Sequence, residues 1–552
     1  MATTFMVRTP VQAVRRPGIG RVGWLLAVGW AAQVVLRLWL YRYHAGPVAN
    51  PDETGYLLAA RWLAGGPGAD LSGTTFYQAG YALPLVPIFW FTADPVLAYR
   101  LVVVAGSVAA ASAYPVAYVL ARRLGLGARA ALILAFVAGL SPALLVFSGL
   151  ALADAILPLL VLTWLVALHA LLTRCKATAG VAVGALPAFA MAVHLRGTVL
   201  LAVCGLVLLA VWRRVPRGAW LAAVVSAVVV ALAGKALNGA LEAALYPGGP
   251  RDLSGVLLSR LTSLEGQVWA LSGAAGQLWY LIAGTWGLAG VGMAAAAALL
   301  VRRTSPFPHR VLAGTLLITT LAIAYASSAA LPDEHRVGNY AYGRYLACVA
   351  VAWTLAGAIA LLKSGRPAVA RLALAAAGLL AVTGGVVAWY AGDRLQRYAF
   401  IAFDFPEMIF LTGRRDSFDL LAASLSALVL LACLAGAACL NGRPLVPGVL
   451  ALIGVAFTAY LAPSPPSPGG WDWLPTPPPG RVAVDARVKW NVWVPLSYRV
   501  WWTELERYDG EPPAGACTAV VPPDAEPAPG WAATGEGGVR KGWTTWSNPG
   551  CR

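Results

Sequence analysis

Residues 155–173 read Ala-Ile-Leu-Pro-Leu-Leu-Val-Leu-Thr-Trp-Leu-Val-Ala-Leu-His-Ala-Leu-Leu-Thr, an apolar stretch without an acidic residue, lysine or arginine. About 20 such residues cross the ~30 Å hydrocarbon core of a bilayer as a helix. Asp154 stands directly before the stretch and Arg174 directly after it. The segment therefore predicts a membrane-spanning helix with an acidic residue at one end and a basic residue at the other.

Similar apolar runs recur along the whole chain. Of its 552 residues, 59% are hydrophobic and 12% are charged, with a mean hydropathy of +0.69, whereas soluble domains average about 25% charged residues. The fold class is therefore an all-α polytopic membrane protein with about thirteen transmembrane helices. The expected spans are 22–40, 97–121, 128–147, 155–173, 178–193, 198–212, 218–237, 278–300, 311–331, 345–362, 370–391, 418–440 and 445–462.

The charged residues alternate between the loops of this topology. Basic residues gather in every second loop, and none of the 24 acidic residues falls there. Because cytoplasmic loops are enriched in Lys and Arg, the N-terminus is expected in the cytoplasm and the C-terminus outside the cytoplasmic membrane. The basic residues of these loops are Arg8, Arg15, Arg16, Arg21, Arg122, Arg123, Arg129, Arg174, Lys176, Arg213, Arg214, Arg217, Arg302, Arg303, Arg310, Lys363, Arg366, Arg371 and Arg443.

Composition excludes two other interpretations. The pI of 9.8 does not indicate nucleic-acid binding, because no basic stripe with interleaved aromatic residues is present. The first apolar run is a full-length span without a small-residue cleavage site, so we expect a retained helix and not a signal peptide. The Ala-, Gly- and Arg-rich, Lys-poor composition is typical of a GC-rich bacterial genome.

The chain divides into a membrane domain and a small outer domain. Residues 1–462 form the expected transmembrane domain, with a first outer loop at 41–96 and a second large outer loop at 238–277. The apolar run Tyr81–Phe91 is too short to span and is expected to be re-entrant or to lie at the interface. A Pro-rich linker at 463–480 leads to an extracytoplasmic C-terminal α/β domain at 481–552, since Pro-rich segments act as stiff spacers.

The C-terminal domain carries a strand-like run, Val482–Val488, and a helix-like run, Pro495–Tyr508. It also carries Cys517 and Cys551, the two cysteines clear of the spans. An even pair in an oxidising compartment predicts a disulfide.

The first outer loop opens with Pro51-Asp52-Glu53-Thr54-Gly55-Tyr56. Topology does not require two adjacent carboxylates at the membrane surface, and they repel unless a cation, an arginine or a proton compensates them. Asp52 also precedes a predicted helix, so a helix cap is the alternative to a catalytic role.

Three further charged residues map to the outer ends of spans. Asp154 lies between apolar residues at the start of the fourth span, where an ionisable group usually faces a polar cavity. Arg196 closes the fifth span and Arg344 opens the tenth. A helix cap for Asp154 and snorkelling arginines are the alternatives. Together with Asp52, these residues predict a site on the outer face for an anionic, lipid-held substrate.

This arrangement resembles the GT-C superfamily of polyprenyl-phosphate-sugar-dependent glycosyltransferases, especially the branch with protein O-mannosyltransferases and lipid A aminoarabinose transferases. The Pro-Asp-Glu-x-x-Tyr motif corresponds to 51–56, and an aromatic segment to 77–81. The single Asp, the basic residue and the Arg-Tyr pair of that branch correspond to Asp154, Arg196 and Arg344-Tyr345. The aminoarabinose transferases carry Glu-Lys in the aromatic segment, where this chain has Gln-Ala.

The resemblance implies transfer of a sugar from a polyprenyl phosphate to a glycan, lipid or protein acceptor, with inversion. The catalytic candidates are Asp52 as general base, Glu53 and Asp154, and the donor-phosphate candidates are Arg196, Arg344 and Tyr345. Further substrate contacts are expected from Tyr56, Arg61, Tyr81 and His194. No cofactor is expected to be required and no metal ligand is assigned, and a divalent cation held by Asp52, Glu53 and Asp154 stays an open alternative.

Three other functions are alternatives. A transporter or lipid flippase would place its charged residues near mid-membrane, whereas Asp154 and the arginines map to the outer end. A polymerase or ligase for lipid-linked glycans usually carries its main outer loop late in the chain. A non-catalytic membrane scaffold is the third alternative.

The arginine-rich, acid-free loops generate a topological prediction. Reporter fusions at positions 125, 175, 215, 305 and 365 should report a cytoplasmic location, and fusions in the C-terminal domain an outer one, because of the positive-inside bias. A cytoplasmic C-terminal domain would contradict the topology.

Overall fold

The computed structural model describes residues 19–49, 51–440, 445–463, 480–489, 492–493, 505–538 and 542–551. The described residues form mainly helices, and a small sheet follows these helices near the C-terminus. The helices of the first half are α1 (Ile19–Leu40), α2 (Asp52–Leu63), α3 (Ala79–Ala82), α4 (Val86–Phe91), α5 (Pro95–Arg123), α6 (Ala128–Ala138), α7 (Pro142–Phe147), α8 (Leu157–Arg174), α9 (Ala177–Val193), α10 (Arg196–Val211) and α11 (Arg217–Leu245).

The second half continues the helical bundle. Its helices are α12 (Leu253–Thr262), α13 (Leu264–Gly284), α14 (Leu288–Val301), α15 (Phe307–Ala330), α16 (Ala347–Lys363), α17 (Arg366–Ala391), α18 (Arg394–Arg397), α19 (Pro406–Thr412), α20 (Leu420–Cys439) and α21 (Leu445–Tyr460). In the described ranges, 8 helices are long and apolar enough to span a membrane, or 9 with α13 and α14 as one bent span. The remaining predicted spans fall on the shorter helices α6, α9, α10 and α21, so the number thirteen stays a prediction.

The run 278–300 is not one straight helix. Helices α13 and α14 meet there at an angle of 110°. Trp286 and Gly287 between them have φ values of 58° and 81°, in the left-handed region that no helix continues through. Apolar residues continue on both sides of the break, so the hydropathy pattern gave no sign of it. Helix α13 also begins well before the expected span, at Leu264.

The basic loops meet at one end of the bundle. Lys363, the last residue of α16, donates from Nζ to the carbonyl of Leu124, directly after α5, at 2.7 Å. Arg366 Nε donates to the carbonyl of Cys439 at 2.8 Å, and Arg214 stacks over Phe307 at 4.2 Å. Because α16 rises about 25 Å from its first to its last residue, these loops lie far from the residues that precede α16.

The first outer loop folds into three short helices. In α2, residues Glu53 to Arg61 are all buried, so this helix is enclosed and lacks the exposed polar face of an amphipathic surface helix. Helix α3 approaches α9 closely, since a Cβ on Gly80 would lie 2.6 Å from the backbone of Ala192. Trp90 and Phe91 of α4 are exposed, and such aromatic side chains prefer the membrane–water interface.

A buried arginine joins α1 to α6. Arg37 Nη2 donates to the carbonyl of Gly139 at 2.6 Å, and Gln33 Nε2 donates to the carbonyl of Phe136 at 2.9 Å. Helix α6 ends at Ala138, and the last carbonyls of a helix have no partner within it. The two polar side chains of α1 therefore satisfy the end of a helix that stops inside the bundle.

The C-terminal domain contains a five-stranded sheet with strand order β2-β1-β3-β5-β4. Its strands are β1 (Arg481–Asp485), β2 (Leu505–Tyr508), β3 (Ala516–Val521), β4 (Ala532–Gly538) and β5 (Trp543–Ser547). Strand β1 pairs in parallel with β2 and β3, and β5 pairs antiparallel with β3 and β4. The predicted strand is confirmed at 482–485, within β1, whereas residues 486–488 form a turn. Of the predicted helix Pro495–Tyr508, residues 495–504 lie outside the described residues, and the end at 505–508 is strand β2.

The C-terminal cysteines are bonded to each other. The Cα atoms of Cys517, on β3, and Cys551 lie 5.5 Å apart, and their Sγ atoms form a disulfide. The bond fastens the segment after β5 to the centre of the sheet.

Close packing of α14 on α16 generates a stability prediction. A Cβ on Gly357 would lie 2.1 Å from the carbonyl oxygen of Leu288, so Gly357→Ala should lower the stability by about 1–3 kcal/mol through overpacking. Gly378→Ala is the matched control, because nothing lies within 4 Å of its added Cβ. Thermal unfolding in detergent should separate the two variants, and equal midpoints would contradict the packing described here.

Candidate active site

Asp154 lies at the centre of a charged cluster. It occupies a 3-10 turn, Ala153–Ala155, directly before α8, and its side chain is fully buried. Its Oδ1 accepts a hydrogen bond from Arg196 Nη2 at 2.7 Å and its Oδ2 one from Arg344 Nε at 2.8 Å. A buried carboxylate requires such partners. The structure thus joins three residues that the sequence placed on separate spans.

Arg196, the first residue of α10, is held on all sides. Its Nη1 donates to the carbonyls of Arg344 and Tyr345 at 3.2 and 3.3 Å. Its Nε lies 3.3 Å from His194 Nδ1, and its guanidinium stacks over the Tyr345 ring at 5.5 Å. With Asp154 on Nη2, every guanidinium nitrogen of Arg196 has a protein partner.

Arg344 connects Asp154 to Asp52. Arg344 Nη1 donates to Asp52 Oδ2 at 2.5 Å, and the hydroxyl of Tyr77 donates to Asp52 Oδ1 at 2.9 Å. The Asp52 side chain is 30% exposed, whereas that of Arg344 is 11% exposed. Burial, and then the charge of Asp52, raises the pKa of Tyr77, which keeps Tyr77 a hydrogen-bond donor. Asp52 is thus the carboxylate of the cluster that is open to a substrate.

Glu53 has a different set of partners from Asp52. Its Oε1 accepts hydrogen bonds from the amides of Val48 and Ala49, both at 2.7 Å. Its Oε2 accepts from the hydroxyl of Tyr99 at 2.5 Å and from the amide of Ala151 at 2.7 Å. Glu53 is fully buried. It fastens the start of the outer loop to the segment before Asp154, so its position is structural.

The other predicted site residues differ in whether they contact this cluster. The buried Tyr56 ring packs edge-on against Tyr77 and Tyr81, with centroids 5.4 and 5.0 Å apart, forming the wall behind Asp52. Arg61 instead donates to the carbonyls of Pro67 and Gly68 at 3.1 and 3.2 Å. These contacts hold the loop after α2. His194 also accepts from the amide of Arg196 at 3.2 Å.

A cavity extends from Arg344 into the bundle. It encloses about 660 Å³ of space including its open mouth. Polar residues at one end are Tyr280, Arg344, Asp404 and Glu407, and the remaining wall is mostly apolar. Its lining residues come from 137–147, the α13–α14 bend, the start of α16, the connection before α20, and α21.

The sequence analysis did not single out Tyr77 or Glu407. Tyr77 appeared in the sequence only as part of an aromatic segment, and its bond to Asp52 depends on the fold of the loop. Glu407 lies in the short apolar helix α19, an acidic residue among apolar neighbours near a span. This is the signal that singled out Asp154, and it was present in the sequence.

The fold has known counterparts, although no protein-family model and no curated protein matches the sequence. ArnT from Cupriavidus metallidurans bound to undecaprenyl phosphate is similar, with a TM-score of 0.55 and 15% identity over 97% of this chain and 99% of that chain. The apo state of the same ArnT gives a TM-score of 0.53 and 15% identity, over 96% and 98% of the two chains. ArnT is a GT-C superfamily glycosyltransferase. The predicted GT-C-like fold, a helical membrane protein with a small C-terminal sheet domain, is confirmed.

The two adjacent carboxylates should respond differently to loss of charge. Glu53→Gln places an amide nitrogen against groups that donate hydrogen bonds, so it should destabilise the protein by about 3 kcal/mol or more. Asp52→Asn, at a partly exposed position, should cost less. Thermal unfolding of both variants in detergent measures the difference, and equal losses would contradict the structural position of Glu53.

Proposed function

We propose that this protein is a membrane glycosyltransferase that moves a sugar from a polyprenyl-phosphate donor to an acceptor hydroxyl. The transfer takes place at the outer face of the cytoplasmic membrane and inverts the configuration of the anomeric carbon. One observation supports this proposal above all others. An accessible carboxylate, Asp52, and an arginine, Arg344, share one centre although 292 positions separate them in the chain. The reaction needs a base and a cationic phosphate site next to each other.

Asp52 serves as the general base. The acceptor oxygen attacks the anomeric carbon as its proton passes to Asp52. The bond between the anomeric carbon and the phosphate oxygen breaks, and its electron pair leaves with the phosphate. A single displacement of this kind inverts the anomeric carbon. Tyr77 holds Asp52 by donating to Oδ1, so Oδ2 is the oxygen that takes the proton.

Arg344 binds the phosphate of the donor. Guanidinium groups bind phosphate oxygens through charge-assisted hydrogen bonds and stabilise charge that develops on them. Phosphate then takes the place of Asp52 at Nη1, which frees the base while Asp154 keeps Nε in position. Arg196, fully engaged with protein groups, positions Asp154 and the backbone of Arg344 and Tyr345. This makes Arg196, Tyr345 and His194 positioning residues.

The apolar part of the cavity accommodates the start of the polyprenyl chain. Thr354 lines the cavity seven positions after Ala347, the first residue of α16, which corresponds to about 10 Å along the helix. The walls between are apolar, as a hydrocarbon chain requires. ArnT has been solved with undecaprenyl phosphate, and the similar fold supports the same class of carrier here.

The location of the site at the outer face is part of the proposal. The contacts among Leu124, Lys363, Arg366 and Cys439 gather the basic loops at the end of the bundle opposite Arg344. Basic loops face the cytoplasm, so Asp52 faces outward. In the proposed mechanism the guanidinium group of Arg344, and not a metal ion, supplies positive charge to the leaving phosphate.

Transfer assays with purified protein, a panel of polyprenyl-phosphate sugars and candidate acceptors test the proposal. Asp52→Asn should lower turnover by about 100-fold or more, since it removes the base while nearly preserving shape. The Asp52→Asn variant should retain the wild-type affinity for undecaprenyl phosphate. Arg344→Ala should weaken that affinity by about 10-fold or more through lost charged hydrogen bonds.

Asp94→Asn provides the matched control. Asp94 is an exposed acidic residue at the start of α5, where it accepts hydrogen bonds from the amides of Val96 and Leu97, and asparagine caps helices as well. Its activity should equal that of the wild-type protein. Near-normal transfer by Asp52→Asn would refute the assigned base, and unchanged lipid binding by Arg344→Ala would refute the phosphate site.

A further inference from the structure

The polar end of the cavity beside Arg344 has no role in the steps described above. It is formed by Tyr280 of α13 and by Asp404 and Glu407, which lie in the connection between α17 and α20. The side chain of Asp404 is 6% exposed, and Glu407 is buried. Two carboxyl groups facing a cavity in a membrane protein are costly unless a ligand or a protein group compensates them.

Tyr280 links Glu407 to the phosphate site. A Cβ on Gly343 would lie 1.9 Å from the Tyr280 ring, so this ring packs directly on the backbone next to Arg344. The Tyr280 hydroxyl donates to Glu407 Oε2 at 2.6 Å. A Cβ on Gly284 would lie 3.4 Å from Glu407 Cγ. The Tyr280 ring therefore lies between the carboxyl group of Glu407 and the backbone next to Arg344.

Asp404 has an acceptor without a hydrogen bond. Its Oδ2 forms a long ion pair with Arg336 Nη1, at 3.6 Å, but accepts no hydrogen bond from the residues that the structure describes. Burial raises the pKa of Asp404 and of Glu407, because the charged form loses its solvation. A ligand that donates hydrogen bonds would compensate these groups.

We propose that Tyr280, Asp404 and Glu407 form the pocket that recognises the donor sugar, with the two carboxyl groups accepting hydrogen bonds from sugar hydroxyl groups. This inference rests on the proposed function. The sugar is joined to the phosphate through one oxygen, so it must lie directly beside Arg344. The polar groups next to Arg344 in this cavity are those of Tyr280, Asp404 and Glu407.

The lipid chain is the other candidate occupant of this end. Hydrocarbon offers no hydrogen bonds, so it would leave the buried Asp404 acceptor unsatisfied, which is unfavourable for a buried polar group. The apolar walls at Leu281, Ala350 and Leu450 suit the chain better. A sugar at the polar end would donate hydrogen bonds to the carboxyl groups, and the lipid chain would pack along the apolar wall.

Binding measurements on the full-length protein in detergent test this pocket. The probes are undecaprenyl phosphate alone and undecaprenyl phosphate carrying a hexose or a pentose. Asp404→Asn and Glu407→Gln should weaken binding of the cognate sugar-bearing lipid by about 10-fold or more. Binding of the bare lipid should stay unchanged. Asp393→Asn, an exposed residue of the same connection, is the matched control and should leave both affinities unchanged.

The two probes separate the possible outcomes. Equal weakening of both lipids would overturn the sugar pocket and assign Asp404 and Glu407 to the fold or to the lipid site. Unchanged binding of every sugar-bearing lipid would overturn it as well. If the wild-type protein binds only the bare lipid, or transfers no sugar, the proposed function itself fails. Tyr280→Phe, which keeps the ring on Gly343, should weaken only the sugar-bearing lipid.

Discussion

A single buried carboxylate, that of Asp154, holds the charged cluster together. It sits beside the hydrocarbon region with one oxygen on Arg196 and the other on Arg344. Without it, two guanidinium groups would face each other in a region of low dielectric, where like charges repel strongly. The segments directly before α8 and α16 and the first residue of α10 meet at this point, where the three charges compensate one another.

The same geometry divides the two aspartates into different tasks. Asp154 is enclosed and bonded through both oxygens, which suits a fixed counter-charge. Asp52 is partly exposed and shares Arg344 with Asp154, so its partner can change when an anion arrives. Two carboxylates with the same chemistry thus differ in burial and in partners, and the proposed mechanism gives them different roles, a common arrangement in enzymes.

Much of this site was predictable from sequence because its charges interrupt apolar runs. Asp154, Arg196 and Arg344 stand out for this reason, and Asp52 through its motif. The sequence could not show that the adjacent residues Asp52 and Glu53 have different surroundings, since these depend on how α2 is rotated and buried. The α13–α14 bend was hidden because Trp286 and Gly287 adopt left-handed backbone angles within a continuous apolar run. The polar end of the cavity combines Tyr280 with Glu407 across distant helices, which only the fold brings together.

The Arg37 contact has a consequence for how the chain is inserted into the membrane during synthesis. Helix α1 leaves the ribosome before α6, and the Gly139 carbonyl follows Arg37 by 102 residues. Throughout that interval Arg37 lacks its partner. It lies in the last turn of α1, so its side chain can reach the headgroup region, and Gln33 of the same helix accepts its Nη1 protons. The biogenesis of α1 is therefore compatible with an arginine that becomes enclosed only after α6 arrives.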